Sequence, residues 1–182
     1  MRIAVYTNIL RVTALTRRCA ALMEEPEVCV CAADGMDDWR SMRAAADLHL
    51  FLWMGTGLDN VFLQKASRDL QRNRIPHLIV VDNADHDKVT YGFSEKQIQT
   101  AWAYFRYDGE ENMRNLFLWL GREFGGLSCI AAPPVPLAWN GVYHPDWAGD
   151  PEDIAGYLTA HYEDRRPTVG VIFYRSEWIT GD

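Results

Sequence analysis

The feature of this sequence that most constrains its fold is a regular alternation of short apolar runs with amphipathic segments. Apolar runs of strand length begin near residues 2, 27, 48 and 77. Leu10, Leu15 and Cys19 show the helical spacing of the segment after the first run, and similar segments follow the third and fourth runs. A shorter segment with an acidic first turn follows the second run, as the helix dipole favours. This alternation is typical of an α/β domain with right-handed crossovers.

The fold class predicted from this pattern is α/β, with an open, mostly parallel sheet flanked by helices, flavodoxin-like or Rossmann-like. We assign this head domain to residues 1–126. Residues 127–149 are rich in proline and predict an extended connector, because proline fixes φ and cannot donate to a strand ladder. Residues 150–182 predict a helix and a final apolar run at 169–174, which either completes the first sheet or begins a second, truncated α/β unit.

Composition and charge exclude several classes of protein. The formal net charge is −7, and an acidic surface repels phosphate backbones, so we expect no nucleic-acid partner. No stretch of about 18 apolar residues predicts a membrane span. The first residues lack the basic-then-apolar pattern of a secretory signal, which favours the cytoplasm. The four cysteines lack the spacing of a metal knuckle and are interpreted as buried, reduced thiols.

Polar and glycine-containing turns follow three of the predicted strands. In open parallel sheets, ligands bind beyond the carboxyl ends of the strands. No glycine-rich dinucleotide or nucleotide motif is present, and the loop after the first strand lacks the glycine expected of a flavin-phosphate loop. These turns are therefore either plain connections or part of a binding surface. The residues concerned are Thr7, Asn8, Gly55, Thr56, Gly57, Asp82 and Asn83.

A few polar residues elsewhere are candidates for ligand binding. His144 precedes a proline, which holds it in an extended conformation suited either to aiming an imidazole or to a structural corner. Arg175 and Ser176 follow the last apolar run, where loops often carry chemistry, and Asp182 lies just beyond. The acidic cluster around Asp85 is interpreted as a solvated loop, so we expect no metal site. No nucleophile–base–orienter set can be assembled, and we predict no catalytic residue.

Three ordered motifs resemble one enzyme family. Gly141, Tyr143, His144 and Pro145 match a G-x-Y-H-P segment, and residues 167–182 match a P-x-[VI]-G-[VIL]-x-x-x-R-S-x-x-x-[TS]-G-[DN] segment. Residues 107–120 are similar to a Y-G-G-x-x-N-x-x-N-L segment, with Asp108 where glycine is common. Together these motifs resemble the large subunit of aerobic cobaltochelatase and the related H subunit of magnesium chelatase. The first hundred residues match only in α/β character.

The resemblance implies an N-terminal fragment of a tetrapyrrole-binding large subunit of an ATP-dependent metallochelatase, a ligase that forms nitrogen–metal bonds. It implies insertion of cobalt into a corrin precursor in cobalamin biosynthesis, with magnesium insertion into protoporphyrin as the alternative. The implied partners are ATPase-type subunits carrying ATP and Mg, the tetrapyrrole, and the remainder of the large subunit. Cobalt is a substrate, no cofactor is expected in this chain, and the chain alone is expected to be inactive.

Two non-catalytic alternatives remain open. The strand–helix alternation also suits a flavodoxin-like module that binds a small molecule or a protein. The chain could equally be a structural head that docks on the rest of its subunit or on the ATPase partners. Aromatic area suited to such an interface is supplied by Trp119, Trp139, Trp147 and Trp178.

Overall fold

In the described residues, four parallel strands form one sheet. The computed structural model describes residues 1–32, 43–53, 61–81, 90–136, 141–142, 147, 149–150 and 152–161. Within them the strands are β1 (Arg2–Thr7), β2 (Glu27–Ala32), β3 (Leu48–Trp53) and β4 (His77–Val81). Their order in the sheet is β2-β1-β3-β4, and every strand pair is parallel. The predicted fold class, an α/β parallel sheet flanked by helices, is confirmed.

Five helices accompany the strands in the described residues. Their bounds are α1 (Leu10–Ala21), α2 (Val61–Arg72), α3 (Glu95–Tyr107), α4 (Glu110–Gly125) and α5 (Ile154–His161). The amphipathic periodicity in the sequence predicted all five regions as helical. None of the helices in the described part of the chain is long and apolar enough to cross a membrane.

The alternating side chains of the strands build two apolar layers, one on each face of the sheet. On one face Ile3, Val5 and Leu50 pack against residues of α1, α3 and α4. On the other face Ala4 and Phe51 pack against residues of α2. All six residues of β3 are buried, which explains why this strand reads as a continuous apolar run rather than an alternating one.

The sequence from residue 94 to 126 forms two helices rather than one. Ser94 caps the N-terminus of α3 with a capping box that is closed by Gln97. The chain then breaks at Asp108 and Gly109, which both have positive φ angles, of 62° and 85°. Gly126, in the left-handed conformation at φ 63°, ends α4.

The chain divides into two compact units, residues 1–135 and 136–182. Residues 127–135, which the sequence assigned to the connector, therefore pack within the first unit. In the second unit, Asp153 caps α5 by accepting a hydrogen bond from Gly156 N at 2.8 Å. Asp150, which precedes this cap in the chain, accepts a hydrogen bond from Glu152 N at 2.9 Å. The predicted final strand at 169–174 lies outside the described residues.

Candidate functional site

The strand order places a topological switch point between β1 and β3. The chain passes from β1 to β2 on one side of β1, whereas β3 pairs on the other side and leads away to β4. Ligands of open α/β sheets bind at such a point, beyond the carboxyl ends of the strands. Thr7 is the last residue of β1 and pairs with Leu52 of β3, and the exposed Asn8 follows it directly.

The turn after β1 uses Thr7 to lead into α1. The side chain of Thr7 is buried, and its Oγ1 accepts a hydrogen bond from Ile9 N at 3.1 Å. No side chain caps the first turn of α1, which begins at Leu10, and Leu10 is 88% exposed. The edge thus presents a helix N-terminus, with its partial positive charge, beside one amide side chain and one exposed apolar side chain.

An ion pair connects α1 to the break between α3 and α4. The Arg11 guanidinium, in the first turn of α1, contacts the carboxylate of Asp108. The other Asp108 oxygen accepts a hydrogen bond from Gly109 N at 2.8 Å. Asp108 has a φ angle of 62°, a backbone conformation that glycine adopts more readily than residues with a side chain. The ion pair holds the α3–α4 turn on the helix that begins beside the switch point.

Of the sequence-predicted candidates, only Thr7 and Asn8 fall within the described residues. The predictions for Gly55, Thr56, Gly57, Asp82 and Asn83 lie outside them, and so do those for His144, Arg175, Ser176 and Asp182. Thr7 is hydrogen-bonded within the turn after β1, and Asn8 is exposed at the edge of the sheet. Ligand binding by either residue stays a prediction. Among the described residues, no group of three metal-ligating side chains comes together.

A buried polar cluster on β3 and β4 was not predicted from the sequence. His49 and His77 are cross-strand neighbours and both are fully buried. The Tyr6 hydroxyl lies 3.2 Å from His49 Nδ1. The Ser67 hydroxyl lies 2.7 Å from His77 Nε2, and His77 Nδ1 lies 3.1 Å from Ile75 O. The only sequence signal was a histidine inside each of two strand-like apolar runs.

Burial sets the protonation state of this cluster. Desolvation, followed by the proximity of His77, lowers the pKa of His49 from 6.5 to about 4. Burial also lowers the pKa of His77 from its usual 6.5. His77 is therefore neutral, with Nδ1 donating to Ile75 O and Nε2 accepting from Ser67. The hydrogen bonds within the cluster provide partners for polar groups that are buried under α2, so the role of the cluster is structural.

A groove of about 540 Å³ lies between α4 and the proline-rich segment that follows it. Glu110, Glu111, Arg114 and Leu118 form the helical wall, and Ile130 lies on the opposite wall. The Ile130 side chain is 91% exposed. The groove therefore combines charged groups of both signs with exposed apolar area.

The fold and this edge of the sheet define the class of protein: a parallel α/β domain with polar groups at its switch point. Residues 102–182 match the family described as CobN/Magnesium Chelatase. Over those residues the chain is similar to the CobN/magnesium chelatase family, and the resemblance seen in the sequence motifs is confirmed. The matching segment begins within α3 and includes all of α4 and α5.

Two known proteins are similar to this chain, one over less than half of its length and the other over almost all of it. An uncharacterized protein of Methanocaldococcus jannaschii is 32% identical over 81 residues, which are 43% of this chain and 7% of that protein. The catalytic subunit of cobaltochelatase from Mycobacterium tuberculosis matches 99% of this chain with a TM-score of 0.66. The sequence identity in that match is 14%, and the chain covers 14% of that subunit, so the match shows a shared fold. This chain thus spans a small part of the length of both.

Proposed function

We propose that this chain is part of the tetrapyrrole-binding large subunit of an ATP-dependent metallochelatase. The observation that carries the proposal is the family match over residues 102–182, which contains all three ordered sequence motifs. In this proposal the full subunit inserts cobalt into a corrin precursor during cobalamin biosynthesis. Magnesium insertion into protoporphyrin is the alternative, because the chelatase family includes both branches.

The chemistry of insertion explains why several parts must cooperate. The pyrrole nitrogens have to lose their protons, the ring has to distort, and the metal has to lose its bound water. In the proposal, ATPase-type partner subunits carrying ATP and Mg supply energy for conformational change, and the metal is a substrate. The chain itself holds no cofactor, and the remainder of the large subunit supplies the insertion chemistry. A cytoplasmic location accords with the four free cysteines.

Carboxylate or amide groups on the tetrapyrrole would be bound by guanidinium groups and backbone amides. We assign this contact to side chains of two motifs. These are Arg175, Ser176 and Asp182 in the motif at residues 167–182, and His144 in the G-x-Y-H-P motif. Thr7 and Asn8 at the switch point are a further candidate surface, because this edge is where open α/β sheets bind ligands.

Intrinsic tryptophan fluorescence tests the proposal, because the chain has seven tryptophans. We would titrate a cobalt-free corrin precursor and protoporphyrin in parallel, with serum albumin as the control for non-specific adsorption. Saturable quenching by the corrin precursor alone is the expected result. Saturation by protoporphyrin alone would assign the magnesium branch. Binding of neither tetrapyrrole would overturn the assignment of a tetrapyrrole contact to this chain.

Paired variants locate the contact. Arg175→Ala should weaken the saturable quenching about tenfold, as expected when a charge-assisted hydrogen bond is lost. Arg72→Ala is the matched control, because Arg72 is an exposed arginine in the last turn of α2. Equal affinities for the two variants would exclude Arg175 from the contact.

A second candidate function is a docking module for the ATPase subunits or for the rest of the large subunit. Exposed apolar side chains favour it: Ile154 is 54% exposed and Leu158 is 45% exposed, one turn apart on α5. In this case a pull-down with the ATPase subunits would succeed while the fluorescence titrations show no saturable binding. Ile154→Lys would then abolish the pull-down, whereas Thr159→Lys, at another exposed position of α5, would retain it.

A further inference from the structure

The proline-rich segment after α4 is attached to the first unit through its backbone. We call residues 128–135 the strap. Ala132 and Val135 are exposed, so burial of their side chains contributes little to holding the strap. Instead, the backbone N–H and C=O groups of these two residues are hydrogen-bonded to side chains of α3 and α4.

Val135 is held by one amide side chain in a two-bond pair. Asn112 Oδ1 accepts a hydrogen bond from Val135 N at 2.9 Å, and Asn112 Nδ2 donates to Val135 O at 2.8 Å. The Asn112 side chain is 4% exposed, and its Nδ2 also donates to Asp108 O at 2.7 Å. The asparagine amide thus pairs with the strap as a neighbouring strand would.

Ala132 is held by two side chains from two helices. Asn115 Oδ1 accepts a hydrogen bond from Ala132 N at 2.9 Å. The Tyr104 hydroxyl donates to Ala132 O at 2.5 Å. Asn112 and Asn115 are one helical turn apart and meet the strap in reverse order, so the strap runs antiparallel to α4.

The positions of the prolines match these bonds. Pro133, Pro134 and Pro136 have no N–H, so Ala132 and Val135 carry the only backbone donors between residues 132 and 136. Both donors are satisfied by asparagine side chains. In the described part of the chain, the residues of the strap before Ala132 have no comparable attachment. Leu127 N, bonded to Gly121 O at 3.2 Å, is the last backbone donor before Ala132 that is bonded to another described residue.

We infer that Asn112 and Asn115 form a latch that holds the strap as a separately releasable element of the first unit. Local opening requires few buried apolar contacts, and the strap has few. Val135 is also the last residue of the first compact unit. The latch therefore fixes the point at which the chain leaves that unit, and opening it frees that point while the sheet stays folded. All latch residues lie in the segment that matches the chelatase family.

Residue-specific amide hydrogen exchange, measured by NMR on the whole chain, tests the latch. In the wild type, the amides of Ala132 and Val135 should be protected, yet exchange faster than the amide of Leu50 in β3. Asn112→Ala should accelerate exchange at Val135 about tenfold, because it removes both bonds to that residue. Exchange at Leu50 should not change.

Three further variants separate the two attachments. Asn115→Ala should accelerate exchange mainly at Ala132, and Tyr104→Phe, which removes only a hydroxyl, should do so more weakly. Asn112→Asp should have an intermediate effect at Val135, because a carboxylate accepts from Val135 N but cannot donate to Val135 O. Asn73→Ala is the matched control, since the Asn73 amide donates to Asp69 O at 2.7 Å on α2.

Two results would overturn the inference. In the first, Val135 exchanges at the same rate in Asn112→Ala and Asn73→Ala, so the strap is held by something other than the latch. In the second, the wild-type amides of Ala132, Val135 and Leu50 exchange at one common rate, so the strap opens only when the whole unit unfolds. Should Asn112→Ala unfold the protein, the Asn112→Asp and Tyr104→Phe variants provide the same comparison.

Discussion

His49 and His77 occupy paired positions on β3 and β4, and both imidazoles are fully buried under α2. Two neutral histidines are thereby held side by side in the apolar layer. Each can be protonated readily in the unfolded chain but not in the folded one, because burial lowers the pKa of both side chains.

The stability of the first unit should therefore fall as the pH is lowered through the histidine range. In the unfolded chain His49 takes up a proton below about pH 6.5, whereas its folded-state pKa is about 4. Its contribution is complete above pH 6.5 and is lost between pH 6.5 and 4, by about 1.4 kcal/mol per pH unit. Urea unfolding at a series of pH values should show this slope reduced in His49→Gln. His161→Gln, at an exposed position on α5, should keep the wild-type slope; an equal slope in all three proteins would refute the expectation.

Asp108 should respond differently to glycine and to alanine. Its φ angle of 62° disfavours any side chain, while its carboxylate holds Arg11. Asp108→Ala loses the ion pair and keeps the strain, whereas Asp108→Gly loses the ion pair and relieves the strain. Asp108→Gly should therefore be about 1 kcal/mol more stable than Asp108→Ala in urea unfolding. Equal stabilities would show that the backbone at this position is unstrained.

Gly92 should tolerate substitution by alanine less well than Gly126 does. It has a φ angle of 82°, and an added Cβ would lie 3.2 Å from Pro76 Cβ and 3.3 Å from Pro76 Cα. Gly92→Ala should cost about 2 kcal/mol of unfolding free energy, combining backbone strain and crowding. Gly126→Ala is the control: its φ angle is 63°, but its Cβ would meet nothing within 4 Å. It should cost about 1 kcal/mol, and a cost equal to that of Gly92→Ala would argue against the crowding.

The cysteines should react with iodoacetamide in a definite order. All four are free thiols, but only Cys19 and Cys31 are buried. Burial raises the pKa of Cys19 to about 11, so little of the reactive thiolate forms at pH 8. Peptide mass spectrometry at that pH should show Cys129, half-buried on the strap, modified before Cys19. In urea all four should be modified, and early modification of Cys19 in the native protein would contradict its burial.

The strands and helices could be predicted because each carries its own periodic pattern. β3 reads as a continuous apolar run and α2 as an amphipathic repeat, and the structure has both at those positions. The interpretation of all four cysteines as buried thiols was too broad, because Cys29 and Cys129 are only half-buried. The sequence showed them among apolar neighbours, but their burial depends on which side chains cover them in the fold.

The break at Asp108 and the latch could not be predicted from periodicity. Helical spacing continues across residues 94–126, and only the backbone angles reveal that Asp108 adopts a conformation usual for glycine. Asn112 and Asn115 were noticed only through the family resemblance. Their role depends on hydrogen bonds with the strap, which is a tertiary contact. The sequence offers one indication of this contact: the prolines of the strap leave two backbone N–H groups that need hydrogen-bond acceptors. The binding surface proposed for the last motif lies outside the described residues and stays a prediction.

The position of β1 in the sheet has a consequence for the order of assembly during synthesis. Of the four described strands, the one that is made first lies inside the sheet. Each later one joins an edge that is open when it is made: β2 on one side of β1, β3 on the other, then β4 on β3. Among these four strands, no existing pair has to separate to admit the next strand. A nascent chain can therefore build this sheet by accretion as it leaves the ribosome, a route that limits the time during which unpaired edges are exposed to other chains.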